Sequence, residues 1–349
     1  MKRLLFALLL ISSVVSAREY RDVTPGTGIQ IPRDFSFREG YRVQWWYFTG
    51  HLFTESGREF GYQLTFFVVN VQERNYRSEF GVNRIYISHF ALSDLQTGRF
   101  FFSDQADTDA YKLAGAGQDF LHVWVGQNRL TGNSRAMHLH AADREKSIDL
   151  TLEPLKPPVL HGESGYSRKS EESPVHASLY FSYTNLKTRG TIKAGKNTFR
   201  VEGKTWFDRE ISSQGLSSDQ LGWDWFAVQL DDNRELMIYL LRKKDGTIDR
   251  CSSGTYISAS GAYRHLQKDD FRVSVLDYAV SRKSGARYPS LWEITVPSER
   301  LKLRITPSLQ DQEIIAQHTT GNRYWEGTCV VEGTARGRAY VEMTGYESE

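Results

Sequence analysis

A run of aromatic and β-branched residues that occurs twice constrains this chain more than any other feature. Residues 45–64 carry Trp-Trp-Tyr-Phe, then Leu, Arg-Glu-Phe and Leu, and residues 223–240 repeat this order as Trp-Asp-Trp-Phe, Leu, Arg-Glu-Leu and Leu. The end of the first half, from the Val-Glu pair at 201, is similar to the end of the chain, from the Val-Glu pair at 341. Two matching ends at similar separations predict an internal duplication, the alternative being chance similarity between aromatic strands.

Strand signals continue through both halves of the sequence. Runs rich in β-branched and aromatic residues cover 45–48, 62–69, 85–92, 120–125, 148–152 and 179–183. Turn-forming clusters separate these runs, and the sequence has no long amphipathic helical pattern. Many short strands at such spacing are typical of a barrel or a sandwich. We therefore predict an all-β protein with two antiparallel barrel-like domains, residues 18–211 and 212–349, related by the duplication.

The N-terminus has the pattern of a secretory signal peptide. Lys2 and Arg3 precede the apolar run 4–11, and small residues follow up to Ala17. This order predicts that residues 1–17 are a signal peptide, cleaved after Ala17. The apolar run is too short to span a bilayer, and no later run approaches the span length of roughly 20 residues. We expect a soluble mature protein, secreted or periplasmic, without an integral membrane span.

The composition is that of a globular protein that does not bind nucleic acid. Hydrophobic residues make up 40% and charged residues 25% of the chain, which is typical of a folded domain. Lys plus Arg (44) nearly balance Asp plus Glu (42), and neither sign forms the basic patch that nucleic-acid binding needs. His138 and His140, two positions apart in a strand-like stretch, are more typical of a solvated face than of a zinc site. We predict neither a metal nor a cofactor.

The two cysteines have two interpretations. Cys251 and Cys329 are the only cysteines, and an exported chain with an even number can form one disulfide. The alternative is a pair of buried, unreactive thiols. Both interpretations fit the sequence.

A proline-rich segment interrupts the strand pattern. Residues 154–174 begin with prolines at 154, 157 and 158 and stay polar, and two adjacent prolines cannot both donate to a sheet. Long segments of this kind are usually functional lids or disordered loops. Residues 162–169 are therefore either a lid that carries Tyr166 and Lys169 toward a pocket or a surface loop.

Several sequence blocks resemble those of one protein family. They are QWWYFTGHL at 44–52, FGYQLTFF at 60–67, HFALSD at 89–94, GESGYSRK at 162–169, WFDRE at 206–210, GWDWF at 222–226, YWEG at 324–327 and YVEMTGY at 340–346. On these blocks the chain is similar to the lipocalin-like carotenoid 1,2-hydratase (hydroxyneurosporene synthase) and AttH family, often described as predicted secreted hydrolases, over nearly its whole mature length. The resemblance implies two lipocalin-like β-barrels packed on each other. It does not fix a substrate, because members include carotenoid hydratases, relatives with other isoprenoid or polyketide-like chemistry, and secreted proteins without an assigned activity. The chain departs from the family at His161, where relatives tend to carry Gln.

The block at 206–210 carries the candidate catalytic residues. In a strand, Trp206 and Asp208 point to the same face. There the indole would raise the pKa of the acid by desolvation and stabilise a cation by about 1–2 kcal/mol, as acid-catalysed hydration of an alkene requires. The hydratases that this chain resembles use an aspartate as the acid, and the matching position is Asp208. The structural alternative is an ion-paired corner at the domain interface, formed by Asp208, Arg209 and Glu210.

The first aromatic strand contributes candidate ligand-binding residues. Alternation places Trp45, Tyr47 and His51 on one face, where mixed aromatic and polar side chains are typical of a cavity wall or a domain interface. The opposite face, with Trp46 and Phe48, is predicted to be plain core.

Three further residues are candidates that also have structural interpretations. His89, at the end of a predicted strand, is either a base or a satisfied structural group. Trp223 opens the second half, and Asp224 beside it falls on an apolar face, where a carboxylate must be paired or functional. Structural pairing of Asp224, with Arg209 as the candidate partner, is the favoured interpretation.

Together these features predict an exported lipocalin-like protein that binds a hydrophobic isoprenoid-like or lipid molecule and hydrates or isomerises it by acid catalysis. The main alternative is a non-catalytic carrier or chaperone of an apolar ligand that serves an export-system partner. A hydrolase is less well supported, because Ser167 lacks the Gly-x-Ser-x-Gly motif of a serine nucleophile. If the protein is an enzyme, we expect a hydratase of the carotenoid 1,2-hydratase type.

Overall fold

The computed structural model describes residues 20–71 and 78–346, and the predicted signal peptide with its cleavage site lies outside them. Short 3-10 helices occur at Arg33–Phe35, Ala110–Lys112, Lys268–Asp270 and Pro297–Glu299. All other regular structure in the described residues is β-strand, which confirms the predicted all-β class. None of the helices in this part of the chain has the length and apolar content that a membrane span needs.

The first half folds into one curled antiparallel sheet. Its strands are β1 (Val43–Phe53), β2 (Glu59–Asn70), β3 (Arg84–Asp94), β4 (Arg99–Thr108), β5 (Ala114–Ala116), β6 (Leu121–Val125), β7 (Asn128–Gly132), β8 (Met137–Asp143), β9 (Lys146–Pro154), β10 (Val159–Leu160), β11 (Tyr166–Arg168), β12 (Ala177–Ala194) and β13 (Asn197–Ser212). They lie in the order β4-β3-β2-β1-β13-β12-β9-β8-β7-β6-β5, with β10 and β11 paired to β12. The edge strands β4 and β5 approach each other, so the sheet takes a barrel-like form.

The second half forms a second curled antiparallel sheet. Its strands are β14 (Gln220–Leu230), β15 (Glu235–Lys243), β16 (Ser253–Ile257), β17 (Tyr263–Leu266), β18 (Arg272–Val280), β19 (Arg287–Val296), β20 (Leu301–Pro307), β21 (Glu313–Ile315), β22 (Arg323–Gly333) and β23 (Gly337–Thr344). They lie in the order β17-β16-β15-β14-β23-β22-β20-β19-β18, with β21 paired to β22. Each sheet joins its first long strand to its last, β1 to β13 and β14 to β23.

The pairing of strands repeats between the halves, as a duplication requires. Phe48 pairs with Phe207 across β1 and β13. Phe226, the counterpart of Phe48 in the repeat, pairs with Val341 across β14 and β23. Phe207 therefore corresponds to Val341. The sequence comparison aligned Val201 with Val341, and this register was wrong, because short aromatic matches do not define register as hydrogen-bonded pairs do.

Alternation along the strands creates two buried environments. One face of each sheet packs into its own interior, where Trp46 and Phe207 are buried in the first sheet and Phe226 in the second. The opposite faces meet each other and form a separate buried cluster. Both sheets contribute to it, with Tyr47, Tyr180, Trp206, Trp225, Tyr239 and Tyr340 among its members. The barrel interiors are filled by packed side chains, and the aromatic and polar faces lie between the sheets.

Arg209 points into the first interior, away from the face that its two sequence neighbours share. It is fully buried, and it donates to the backbone carbonyls of Asp34 at 3.1 Å and Ser36 at 2.9 Å. Burial lowers the pKa of Arg209 to about 9. The ion-paired corner of Asp208, Arg209 and Glu210 is therefore not formed, because alternation sends the middle residue to the other face.

The proline-rich segment is held against the first sheet. β10 pairs with residues 181–182 of β12, and β11 pairs with residues 177–179. The adjacent prolines lie between β9 and β10, where the sheet stops as predicted. Residues 162–169 are therefore neither a free lid nor an irregular surface loop, because β11 adds a short strand within them.

Both cysteines are free thiols. Cys329 is buried in the second interior, and Cys251 is partly exposed. Burial raises the pKa of the Cys251 thiol to about 12 and that of Cys329 well above its usual range. The structure therefore favours the interpretation of two unreactive thiols over a disulfide.

The histidine pair of the first half lies on a solvated face. His138 and His140 each contact Asp149, both at 3.2 Å, and all three side chains are substantially exposed. Within residues 20–71 and 78–346, no group of three His, Cys, Asp or Glu side chains is arranged to hold a metal ion.

Candidate functional site

Asp208 lies at the centre of the contact between the two sheets. It is in β13, directly opposite Tyr47 of β1, and only 4% of its surface is exposed. Its Oδ1 atom accepts hydrogen bonds from the Trp206 indole, at 2.7 Å, and from the Ser182 hydroxyl. Its Oδ2 atom accepts one from the Tyr180 hydroxyl at 3.0 Å. The prediction that Trp206 and Asp208 share a face is confirmed.

A chain of hydrogen bonds leads from Asp208 to a buried histidine. Nε2 of His161 lies 2.7 Å from Ser182 Oγ, and Nδ1 lies 2.8 Å from the Thr255 hydroxyl in β16. Burial, assisted by the charge of Lys169, lowers the pKa of His161 well below its usual range, so the ring is neutral at neutral pH. Because the Ser182 hydroxyl donates to Asp208, the hydrogen-bond network assigns the ring proton to Nε2, which donates to Ser182. The chain thus connects the carboxylate to a neutral imidazole.

Aromatic rings from both sheets surround Asp208. The Trp225 indole donates to the Tyr180 hydroxyl at 3.0 Å. Its ring stands edge-on to Tyr47 and Trp206, with ring centres 5.2 and 6.2 Å apart. Such rings exclude water, and their π faces stabilise a positive charge. The arrangement suits an apolar group, or a carbocation, beside a carboxyl group.

The electrostatics of the site keep Asp208 ready to release a proton. Burial raises the pKa of Asp208 to about 7; its three hydrogen-bond donors oppose this shift, and the charge of Glu210 adds to it. A carboxyl group with this pKa populates both its protonated and its ionised form near neutral pH, which is the condition for a general acid.

Glu210 and Lys169 form an ion pair at the edge of the site. Lys169 Nζ lies 3.1 Å from Glu210 Oε1 and 4.2 Å from the centre of the Tyr239 ring. Burial alone would lower the pKa of Lys169, but the charges of Glu210, Tyr239 and Asp208 and the hydrogen bond to Glu210 together outweigh it, and the pKa is raised. Among the described residues no cation is paired with Asp208 itself, so the two carboxyl groups of β13 have different partners.

The second half has one carboxyl group at the position that corresponds to Asp208 and a second one opposite it. Glu342 lies opposite Trp225 across β23 and β14, as Asp208 lies opposite an aromatic residue in the first half. Glu326 of β22 is directly opposite Glu342. The Trp223 indole donates to Glu342 Oε2 at 3.2 Å. Burial raises the pKa of Glu342 to about 7 and that of Glu326 well above its usual range.

The interface collects most of the residues predicted for the site. Those with side chains in or against the cluster between the sheets are Trp45, Tyr47, Lys169, Trp206, Asp208 and Trp223. Tyr47 and Trp206 lie closest to Asp208, whereas Trp45 packs at the periphery. The face of β1 that was interpreted as a cavity wall or a domain interface therefore lies between the sheets.

His89 and Tyr166 lie apart from Asp208. His89 is within β3, not at its end, and Nδ1 lies 2.7 Å from the hydroxyl of Tyr324 in the second sheet. It is a satisfied structural group. The Tyr166 hydroxyl donates to the carbonyl of Pro174 at 2.6 Å, and its ring packs in a different cluster.

Asp224 faces the second interior and is structurally paired. Arg242 donates to its Oδ1 at 3.0 Å, and the Tyr346 hydroxyl donates at 3.1 Å. The prediction of pairing is confirmed, but the predicted partner Arg209 was wrong, because Arg209 belongs to the interior of the other sheet.

Sequence analysis missed several residues of the interface. They are Tyr180, Ser182, Trp225, Glu326 and Glu342, while His161 was noted only as a departure from the family pattern. The glutamates carried a usable signal, because each lies two positions after a tyrosine in an aromatic strand, where a carboxylate needs a partner or a function. Ser182 carried none, since its role depends on the pairing of β12 with β13.

A cavity of about 600 Å³ opens between the sheets at one end of the interface. Its lining includes His51 of β1, Gln229 of β14 and Arg338 of β23. His51 follows Tyr47 by four positions, roughly 13 Å along a strand, and its ring centre lies 5.7 Å from that of Tyr340. The cavity therefore lies beside the enclosed Asp208 site and not at it.

The chain has two curled antiparallel sheets with a buried carboxyl group between them. This architecture places it among lipocalin-like proteins with two barrel-like halves. The AttH-like family profile matches residues 22–346, and this chain belongs to that family. The crystal structure of an AttH protein from Nitrosomonas europaea is similar at 30% sequence identity and a TM-score of 0.86, covering 94% of this chain and 99% of that one. No protein of curated function matches the sequence.

More distant solved structures share the fold. Kievitone hydratase from Nectria haematococca has 13% identity and a TM-score of 0.71, over 95% of this chain and 98% of that one. CghA has 12% identity and a TM-score of 0.54, over 95% and 97%. At these identities the likeness shows the fold alone.

Proposed function

We propose that this protein is a hydratase that adds water to an alkene of a hydrophobic, isoprenoid-like ligand, with Asp208 as the acid. One observation carries the proposal: a carboxyl group with a pKa of about 7 is enclosed by aromatic rings between the sheets. The chain belongs to the AttH-like family, and kievitone hydratase has the same fold. Both findings support the same reaction class.

The chemistry follows from the contacts of Asp208. The protonated carboxyl gives its proton to one alkene carbon, so the π bond breaks, a C–H bond forms and the other carbon becomes a cation. The faces of Trp206 and Trp225 stabilise this cation by about 1–2 kcal/mol each when desolvated. Water then forms the C–O bond to this cation, and one of its O–H bonds breaks as the proton passes to a nearby base. Isomerisation is the same protonation followed by loss of a different proton from carbon.

The hydrogen-bond chain behind Asp208 supports its reprotonation. Ser182 both donates to the carboxylate and accepts from His161. A proton can therefore pass along Thr255, His161 and Ser182 without exposing the acid to bulk water. Replacing His161 by a residue that cannot relay a proton should slow turnover without removing the acid.

The alternative function is a non-catalytic carrier or chaperone of an apolar ligand, acting with an export-system partner. The cavity between the sheets favours it, because the lining residues do not include Asp208. A carrier of this kind would bind the same ligand with or without the acid.

The secreted or periplasmic location is part of both proposals and rests on the predicted signal peptide. The mass of the mature protein from its native host should therefore correspond to a chain beginning at Arg18.

One experiment separates the two functions. The protein is incubated in H₂¹⁸O with an acyclic C20 isoprenoid hydrocarbon that has trisubstituted double bonds, and products are analysed by mass spectrometry. A hydratase gives a tertiary alcohol that carries ¹⁸O, and the Asp208→Asn variant gives none. Binding of the hydrocarbon without product, equal in wild type and variant, would instead establish the carrier.

A further inference from the structure

Two buried polar atoms between the sheets lack a well-formed hydrogen bond, one on each sheet. In residues 20–71 and 78–346, they are the hydroxyl of Tyr47 in β1 and the Oε1 atom of Glu326 in β22. These residues are only 7% and 1% exposed, respectively. Buried polar groups nearly always have partners, so two such atoms close together indicate a place for a polar ligand atom.

These atoms adjoin the acid. Tyr47 is directly opposite Asp208 in the pairing of β1 with β13, and its ring stands edge-on to Trp225 at 5.2 Å. Trp225 is in turn opposite Glu342, and Glu342 is opposite Glu326. The Tyr47 hydroxyl lies toward Glu326 without a well-formed hydrogen bond. The Tyr47 hydroxyl therefore belongs to the strand beside Asp208, and Glu326 Oε1 lies across the interface from it.

The two glutamates form a pair that can both donate and accept. They are neighbours across β22 and β23, both are buried, and after burial the charge of Glu342 is the largest influence that raises the pKa of Glu326. Two carboxyl groups so placed hold a proton between them near neutral pH. Such a pair, beside the Tyr47 hydroxyl, matches a hydroxyl oxygen, which also donates and accepts. It does not match a carboxylate or phosphate, which only accepts.

We propose that the Glu326–Glu342 pair and the Tyr47 hydroxyl bind the water molecule that adds to the ligand, and that the pair accepts the proton which this water loses. The proposal rests on the proposed hydratase function. The water oxygen forms the C–O bond to the cation, one of its O–H bonds breaks, and that proton passes to the pair. After the reaction Asp208 is ionised and the glutamate pair holds one extra proton. Asp208 then takes up one proton from solvent and the pair releases one, which restores the starting state.

A crystal structure of the ligand-free wild type tests the sub-site without any organic ligand. We expect an ordered water within hydrogen-bond distance of Glu326 Oε1 and the Tyr47 hydroxyl. A direct hydrogen bond between Tyr47 and Glu326, with no water at either atom, would overturn the proposal.

Turnover in D₂O tests the role of the pair. With the acyclic C20 hydrocarbon, Glu326→Gln should lower the hydration rate by about 10²-fold, the loss typical of a removed general base. Deuterium should still enter the recovered alkene, because Asp208 still protonates carbon and the cation then loses a proton again. Glu332→Gln, an exposed glutamate of the same strand, is the matched control and should change neither rate.

The outcomes distinguish the two proposals. Asp208→Asn should lose both hydration and exchange. If Glu326→Gln lowers both rates equally, or neither, the water sub-site is wrong and the hydratase stands. A wild type that neither hydrates nor exchanges deuterium overturns the hydratase and the sub-site with it. Tyr47→Phe, which keeps the ring, should shift the ratio of hydration to exchange in the same direction but less, and it replaces Glu326→Gln if that variant does not fold.

Discussion

Asp208 and Glu342 hold corresponding places in the two halves, yet their surroundings differ. Asp208 accepts hydrogen bonds from three side chains, whereas Glu342 accepts one, from Trp223. Where the first half has Ser182 opposite its acid, the second half has Glu326. A duplicated scaffold thus provides two buried carboxyl positions, and one changed neighbour gives the first a hydroxyl partner and the second another carboxyl group.

The opposite face of the same strands shows a second difference. Arg209 of the first interior corresponds to Met343 of the second, and Trp46, which lies 4.0 Å from the Arg209 guanidinium, corresponds to Asp224. The charged group of this pair of positions therefore lies on a different strand in each interior, Arg209 on β13 in the first and Asp224 on β14 in the second. In the first it binds backbone carbonyls of the segment before β1, and in the second it pairs with Arg242.

The largest expected effect is on turnover, and it distinguishes Asp208 from Glu342. Asp208→Asn should lower turnover by at least about 10²–10⁴-fold, because asparagine keeps the shape but cannot deliver a proton. Glu342→Gln should cost less, because Glu326 remains beside it. Steady-state rates and ligand affinity are measured on the same preparations, with exposed Asp119→Asn as the control. If the two variants lose activity equally, the halves contribute alike and the comparison fails.

The next effect concerns stability. Arg209→Met gives the first interior the residue that the second has at this position, but it leaves the buried carbonyls of Asp34 and Ser36 without a donor. We expect the free energy of unfolding to fall by about 3–5 kcal/mol. Met343→Leu, a change of similar volume in the second half, should cost less than about 1.5 kcal/mol. Urea unfolding measures both, and equal losses would show that Arg209 does not anchor the segment.

The pH dependence of stability tests whether the acids titrate as expected. Burial raises the pKa of Asp208 to about 7, against about 3.9 in an unfolded chain. The folded state therefore binds the proton more tightly, so this contribution to stability is fully present below about pH 4 and is lost as pH rises through about 7. Asp208→Asn does not titrate and should gain stability relative to wild type over that window.

Glu342→Gln should show the same window, because the pKa of Glu342 is also raised to about 7. Urea unfolding at a series of pH values gives the difference between each variant and wild type. A difference that stays constant with pH for either variant would mean that its carboxyl group does not titrate in this range.

The smallest effect concerns the cysteines, which both belong to the second half. Mass spectrometry under denaturing conditions, without a reductant, should give the mass of a chain with two free thiols. In the native state Cys251 should react slowly with a thiol reagent and Cys329 should not react, because it is fully buried. A mass lower by two hydrogens would establish a disulfide and contradict the structure.

The sequence predicts what depends on local alternation. The strand runs, the shared face of Trp206 and Asp208, and the interior position of Trp46 follow from a period of two along each strand. Partners across strands do not follow from it. The donors Tyr180 and Ser182 reach Asp208 only through the register of β12 on β13, which the hydrophobic pattern leaves undefined.

Alternation along a strand also does not define which faces of the two sheets pack against each other. The mixed aromatic face of β1 fitted a cavity wall as well as an interface, and only the packing of the second sheet against it distinguishes the two. The partner of Asp224 was predicted wrongly for a related reason. Arg209 is close in sequence, but its strand belongs to a different interior.

Pairing of the first long strand with the last has a consequence for assembly. β1 is made long before β13, and Arg209 follows its acceptor Asp34 by 175 positions. Contacts between such distant positions require closure of long loops, which slows folding. During synthesis the first sheet therefore cannot close, and Arg209 cannot bind the segment before β1, until residues 202–212 are available. We expect each half to remain incomplete through most of its length and to assemble late, when its final strand arrives.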